Sequence, residues 1–150
     1  DVWGTAFAVY EDLLTPAARS AASEAILTGY RKGAIAWRGN IRHVPTTHDY
    51  SKDSSWERTT GVPINTYQNG AYWATATGWV ADTLARRDSR AASELMAEYV
   101  SDLRSTDFRM GEEHGSPWEC MHPANEHRQN PVYLTSVSCP VAALHRQKER

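Results

Sequence analysis

Two cysteines, two phenylalanines and no long apolar run characterise this sequence of 150 residues. Cys120 and Cys139 are too few and too unpatterned for a disulfide framework or a zinc knuckle; they read as two free thiols or one bridge, and the compartment stays open. No apolar stretch approaches the ~18 residues of a membrane span. Charge of one sign is missing as well: 16 basic and 18 acidic residues mix along the chain for a net charge of −2, which argues against a nucleic-acid footprint. A Gly-rich phosphate loop, a nucleophile elbow and a Cys/His pair at a supporting spacing are all lacking, so no cofactor is expected. His43, His48, His114, His122 and His127 show no i, i+4 helical pair, and His122 and His127 stand five apart in a loop, so no metal is expected either.

Against that scarcity of Phe stand six Trp and seven Tyr. Both side chains combine a flat apolar face with a polar edge, which suits a surface that holds something apolar and hydroxylated at once. Amphipathic core residues reaching partners at helix ends would account for any single one equally well.

Apolar spacing predicts helices over about Trp3 to Leu14, Pro16 to Lys32, Ala71 to Arg86, Ser89 to Arg104, and from Pro131 onward. Thr15-Pro16 supplies a capping hydroxyl followed by Pro at the first helical position, and Gly33 is a stop signal. Asp88 or Ser89 caps the fourth helix, and Pro140 should kink or interrupt the fifth. Strand signals are weak; only Ala34 to Val44 could pair as a short ribbon.

Helices one and two, and three and four, read as tight αα-hairpins, each with Ala-Ala-Ser-Glu in its second helix (Ala21 to Glu24, Ala91 to Glu94). Gln68-Asn69-Gly70-Ala71-Tyr72 opens helix three, and Gln129-Asn130-Pro131-Val132-Tyr133 opens helix five. Hairpins at a regular period with insertions on one side are the pattern of a repeat array. The connections between hairpins, about Ala34 to Asn69 and about Ser105 to Asn130, exceed the ~12–15 residues that compact domains keep without a function. They carry Trp37, Tyr50, Trp56, Tyr67, Phe108 and Trp118, so they should be ordered, and a site is expected on their rim.

Taken together, the hairpins, the Asn69-Gly70-Ala71-Tyr72-Trp73 segment and Gly115-Ser116-Pro117-Trp118-Glu119 resemble the six-hairpin glycosidases, the (α/α)6 toroid enzymes. The resemblance covers essentially the whole chain, residues 1–150, at the C-terminal end of that catalytic domain. It implies an all-α fold, a partial toroid of about two and a half αα-hairpins with long ordered loops on one rim. It also implies an inverting glycoside hydrolase, with Trp118-Glu119 matching the element that carries the general base. The general acid would then lie upstream of Asp1.

Inversion needs two carboxyl groups ~6.5–9.5 Å apart, one protonated and one activating water. Glu119 is the candidate water-activating carboxylate; without the resemblance it is a glutamate in a polar surface loop. Trp56-Glu57-Arg58, with Asp49 and Asp53, is the second acidic set, although Glu57 beside Arg58 reads more simply as a salt bridge. Gln68, Asn69, Gln129 and Asn130 offer amides that match paired sugar hydroxyls, or cap helices three and five. Trp118, Trp73 and Tyr72 are stacking candidates, with plain burial between helices as the competing reading. A carbohydrate is the expected partner. A phosphorylase or epimerase on the same fold, and a non-catalytic glycan- or partner-binding helical remnant, are the alternatives. In a partial toroid, exposed helix edges would need self-association or a complementary chain to cover them.

Overall fold

The computed structural model describes residues 1–45 and 62–148. Asp1 caps helix α1 (Val2–Tyr10) by accepting the Gly4 N–H at 3.0 Å. The helix stops before the expected Leu14, because Asp12 takes a left-handed φ of 55°. Thr15 caps α2 (Pro16–Arg31) through the Ala18 N–H, and Gly33 leaves it at φ +65°. Helix α3 (Thr77–Ala85) is followed by α4 (Ser89–Ser105), whose first N–H groups at Arg90 and Ala91 donate to Asp88. Helix α5 (Thr135–Lys148) holds Pro140 inside it.

Packing places α3 at the centre: α1, α2, α4 and α5 all contact it. Seven of its nine residues are buried, so it is enclosed rather than amphipathic. Val80, Ala81 and Leu84 join Ile26, Leu27, Ile35, Ile41 and Leu95 in the main apolar cluster. Its buried hydroxyls are all spent on backbone: Thr77 Oγ1 donates to the Gly39 carbonyl at 2.7 Å and Thr83 Oγ1 to that of Trp79 at 2.8 Å. Gly78 lets α5 come close, since a Cβ there would sit 2.4 Å from the Cβ of Ala143.

The expectation of an all-α chain is overturned by a five-stranded antiparallel sheet, which makes the fold mixed α/β. Its strands are β1 (Ala36–Trp37), β2 (Asn40–Arg42), β3 (Tyr72–Trp73), β4 (Cys120–His122) and β5 (His127–Gln129), hydrogen-bonded in that order. Strands β1 and β2 form a hairpin, whereas β2–β3 and β3–β4 pair distant segments, with Ile41 opposite Trp73 and Tyr72 opposite Met121. Tyr72 and Trp73, expected in the first turn of helix three, are therefore strand residues, and α3 begins at Thr77. Helix five likewise begins at Thr135 rather than Pro131, after Asn130 and Val132 take left-handed φ values of 43° and 57°.

The sheet lies at the N-terminal ends of α1, α3 and α5. The Val2 N–H donates to the His43 carbonyl at 3.0 Å, β3 leads into α3, and β5 leads into α5. Two three-residue 3₁₀ turns, Phe108–Met110 and Pro123–Asn125, complete the connections.

At the β1–β2 turn, Gly39 has φ +75°, and a Cβ there would lie 2.2 Å from the backbone nitrogen of Tyr99. Gly33 has a similar φ of +65° but nothing within 4 Å. Gly33→Ala should therefore cost only the left-handed penalty, about 1–2 kcal/mol. Gly39→Ala should add an overpacking cost of about 1–3 kcal/mol. Urea unfolding of both variants checks this; equal losses would mean that the hairpin is not pressed rigidly against α4.

Candidate functional site

Glu119 stands immediately before β4 and is only 5% exposed. Its backbone N–H is shared between the carbonyls of Gln129 (3.1 Å) and Asn130 (3.0 Å), which fixes its main chain against the end of β5. Its side chain is held by the same neighbour: Asn130 Nδ2 donates to Glu119 Oε2 at 2.6 Å. No described residue hydrogen-bonds the other carboxylate oxygen, Oε1. Asn130 thus grips both the backbone and the side chain of Glu119, and it does not cap helix five, contrary to one expectation.

The carboxylate borders a cleft of about 530 Å³ lined by Val62, Pro63, Thr66, Tyr67, Glu119, His127, Gln129 and Asn130. Tyr67 is backed by Trp73, whose ring lies 5.1 Å away and whose indole N–H donates to the Tyr67 carbonyl at 3.2 Å. Burial and the nearby negative charge of Glu119 raise the Tyr67 phenol above its usual range. His127 Nε2 lies 3.4 Å from the Tyr67 N–H and 3.5 Å from Cys120 Sγ. Burial lowers the His127 pKa. Burial, reinforced by Glu119, pushes the Cys120 thiol up to about 12. The thiol is therefore no nucleophile at neutral pH. Among the described residues no group of three or more His, Cys, Asp or Glu could hold a metal ion.

The remaining sequence candidates are divided. Gln129 lines the cleft with Glu119 and Asn130. Gln68 is half-buried in the turn before β3. Asn69 is buried and donates through Nδ2 to the Val62 carbonyl at 2.6 Å, so it shapes the cleft wall and does not cap helix three. Trp73 is a buried support, edge-on to Trp3 at 5.3 Å. Tyr72 packs between Arg42, 5.0 Å from its ring, and the stacked His122 at 5.3 Å. The Trp118 ring folds over Gly115, where a Cβ would lie 2.2 Å from it, with the Arg128 guanidinium 5.8 Å away. Trp118 does not line the cleft of its neighbour Glu119. Trp56 and Glu57, with Asp49 and Asp53, lie outside the described residues.

Tyr67 enters the sequence reading only as one of the rim aromatics and His127 only as a histidine without metal-site spacing; neither is assigned a role at the site. The signal for His127 was present in the same spacing of five that argued against a helical metal pair. His122 and His127 are direct cross-strand partners around the Pro123–Asn125 turn.

A second depression, about 500 Å³, lies beside the first and is lined by Trp37, Arg38, Met121, His122, Pro123, Glu126, His127 and Arg128. His122 is tightly set there. Its Nδ1 accepts the Ala124 N–H at 3.1 Å, and its Nε2 faces Arg42 Nη2 at 3.1 Å. Burial first, then the charge of Arg42 and then His127, bring its pKa from 6.5 down to about 4.

Comparison with protein-family profiles, with curated proteins and with solved structures gives no match.

The imidazoles carry a pH dependence whose sign is fixed. His122, His127 and His43 all have folded pKa values below the unfolded 6.5, His122 down to about 4, so at these three rings the unfolded chain binds more protons below pH 6.5. Stability should be full above pH 6.5 and fall as the pH drops toward 5. Urea midpoints at pH 7.5, 6 and 5 check this, and a midpoint that stays level or rises on acidification would contradict it.

Proposed function

We propose that Glu119 is the water-activating carboxylate of a carbohydrate-cleaving site and that the reaction is inverting glycoside hydrolysis. The observation that carries this reading is the asymmetric restraint of one carboxylate at the edge of a cleft. Oε2 is held by Asn130 at 2.6 Å, while Oε1 has no partner among the described residues. A general base needs a fixed orientation and one oxygen free to take a proton from water.

The other walls fit a hydroxylated ligand. Tyr67, with its phenol kept protonated, donates to a sugar oxygen, and Gln129 offers an amide with both donor and acceptor. Val62 and Pro63 supply apolar surface for the C–H face of a ring. Glu119 is the one carboxylate lining the cleft among the described residues. The proton donor that inversion also requires would come from elsewhere, at the ~6.5–9.5 Å separation that leaves room for water. The resemblance to the six-hairpin glycosidases supports the same reaction and the same residue for the base.

The test uses substrates that need no acid. Dinitrophenyl glycosides and glycosyl fluorides of several sugars release dinitrophenolate or fluoride, anions that leave without being protonated, so Glu119 alone should suffice to activate water. Turnover is expected, with Glu119→Gln slower by about 10²–10⁴-fold, and the first-formed sugar should have the opposite anomeric configuration by NMR. Undiminished turnover in Glu119→Gln, or none in the unaltered chain, would overturn the reading. Turnover that requires added phosphate and survives the substitution would point to phosphorolysis instead.

A further inference from the structure

The second depression deepens this reading of the Glu119 cleft and rests on it. The two cavities, about 530 and 500 Å³, share His127 as a common wall. Each has the size of an ordinary small-ligand pocket, ~300–1,000 Å³. His127 is itself held between Cys120 Sγ and the Tyr67 N–H, so it forms a fixed divider between them.

The lining of the second cavity is chemically specific. Trp37 gives an indole ring with the Arg38 guanidinium 5.4 Å from its centre, Arg128 a planar donor fork, Glu126 an acceptor pair and His122 a neutral ring. The charges do not favour an anion. Arg38 is matched by the buried Asp102, with Nε 2.7 Å from Oδ1, and Glu126 stands in the same lining as Arg128. An aromatic plane among balanced polar forks suits a neutral, hydroxyl-bearing ring.

Much of this lining is already immobilised. Arg38 also donates to Ser105 Oγ at 2.8 Å, and Asp102 accepts from Asn40 Nδ2 at 3.1 Å, so the β1–β2 turn is tied to the end of α4. Arg42 and the Ala124 N–H hold His122. Groups restrained before binding lose little freedom when a ligand arrives.

We propose that this groove is a second sugar subsite, so that the ligand is a neutral oligosaccharide whose chain crosses His127 from the Glu119 cleft to Trp37. The experiment is an NMR titration of the isotopically labelled chain with xylotriose, cellotriose, maltotriose and chitotriose, each against its monosaccharide. At least one trisaccharide should move both the Tyr67 and the Trp37 side-chain signals and bind at least ten-fold more tightly than its monosaccharide. Arg128→Gln, which removes one donor fork from the lining of the second cavity at an exposed position, should lower the affinity of that trisaccharide at least ten-fold.

Shifts confined to the Tyr67 side, equal affinity for one and three sugar units, or no response to any trisaccharide would overturn the subsite. The reading of Glu119 is judged separately, by dinitrophenyl glycoside turnover in the same sample. Perturbation of both pockets without turnover would leave the subsite standing and remove the catalytic role.

Discussion

Helix α3 has almost no surface of its own, and that constraint organises everything around it. Four other helices lean on nine residues, and Gly78 is small because the Cβ of Ala143 would otherwise be met at 2.4 Å. The first residue of α3 then reaches out of the helical layer: Thr77 donates to the carbonyl of Gly39 and pins the β1–β2 turn. Gly39 must be glycine both for its φ and for its contact with Tyr99. A chain of close approaches thus runs from the buried helix to the hairpin that carries Trp37 and Arg38. The geometry of the rim is inherited from the core.

The electrostatics around Glu119 follow a consistent rule. Each titratable neighbour is shifted toward its neutral form: Tyr67 and Cys120 upward, His127 downward. Burial is the leading cause in every case, and Glu119 itself adds to the first two. Among the described residues no basic side chain forms an ion pair with this carboxylate, which stands among neutral donors. Asn130 orients it without adding a positive charge, which a lysine or arginine at that place would do.

Local chemistry was legible wherever a single residue decides the outcome. Thr15-Pro16, Gly33 and Asp88 act through their own hydroxyl, φ or carboxylate, and each does in three dimensions what its type suggests. Glu119, Gln129 and Asn130 could be singled out from the chain, and they meet in one cleft. Of the sheet only the ribbon within Ala34 to Val44 was legible, as the β1–β2 hairpin; the other strands are two or three residues long, too short for a period of two to stand out. Tyr72, Thr75 and Trp79 satisfy a helical spacing, yet Tyr72 is claimed by pairing with Met121, a partner far along the chain. Trp118 shows that adjacency in sequence is not adjacency in a cleft: it directly precedes Glu119 along the chain, but its ring covers Gly115 and does not line the cleft that Glu119 borders.

The sheet draws one hairpin and one lone strand from either side of residues 46–61, and its last two strands from the segment before α5. Its β2–β3 and β3–β4 pairings close large loops, whereas the helix pairs α1–α2 and α3–α4 close small ones. Loop-closure entropy therefore favours the helices forming early and the sheet late. The cleft and its neighbour belong to the late part. A chain with its full helical circular dichroism could still lack both cavities, and slower amide exchange at Leu95 than at Met121 is the signature of that order. Helicity and competence are separate properties in this molecule, because the long-range pairings that shape the rim are not the contacts that shape the helices.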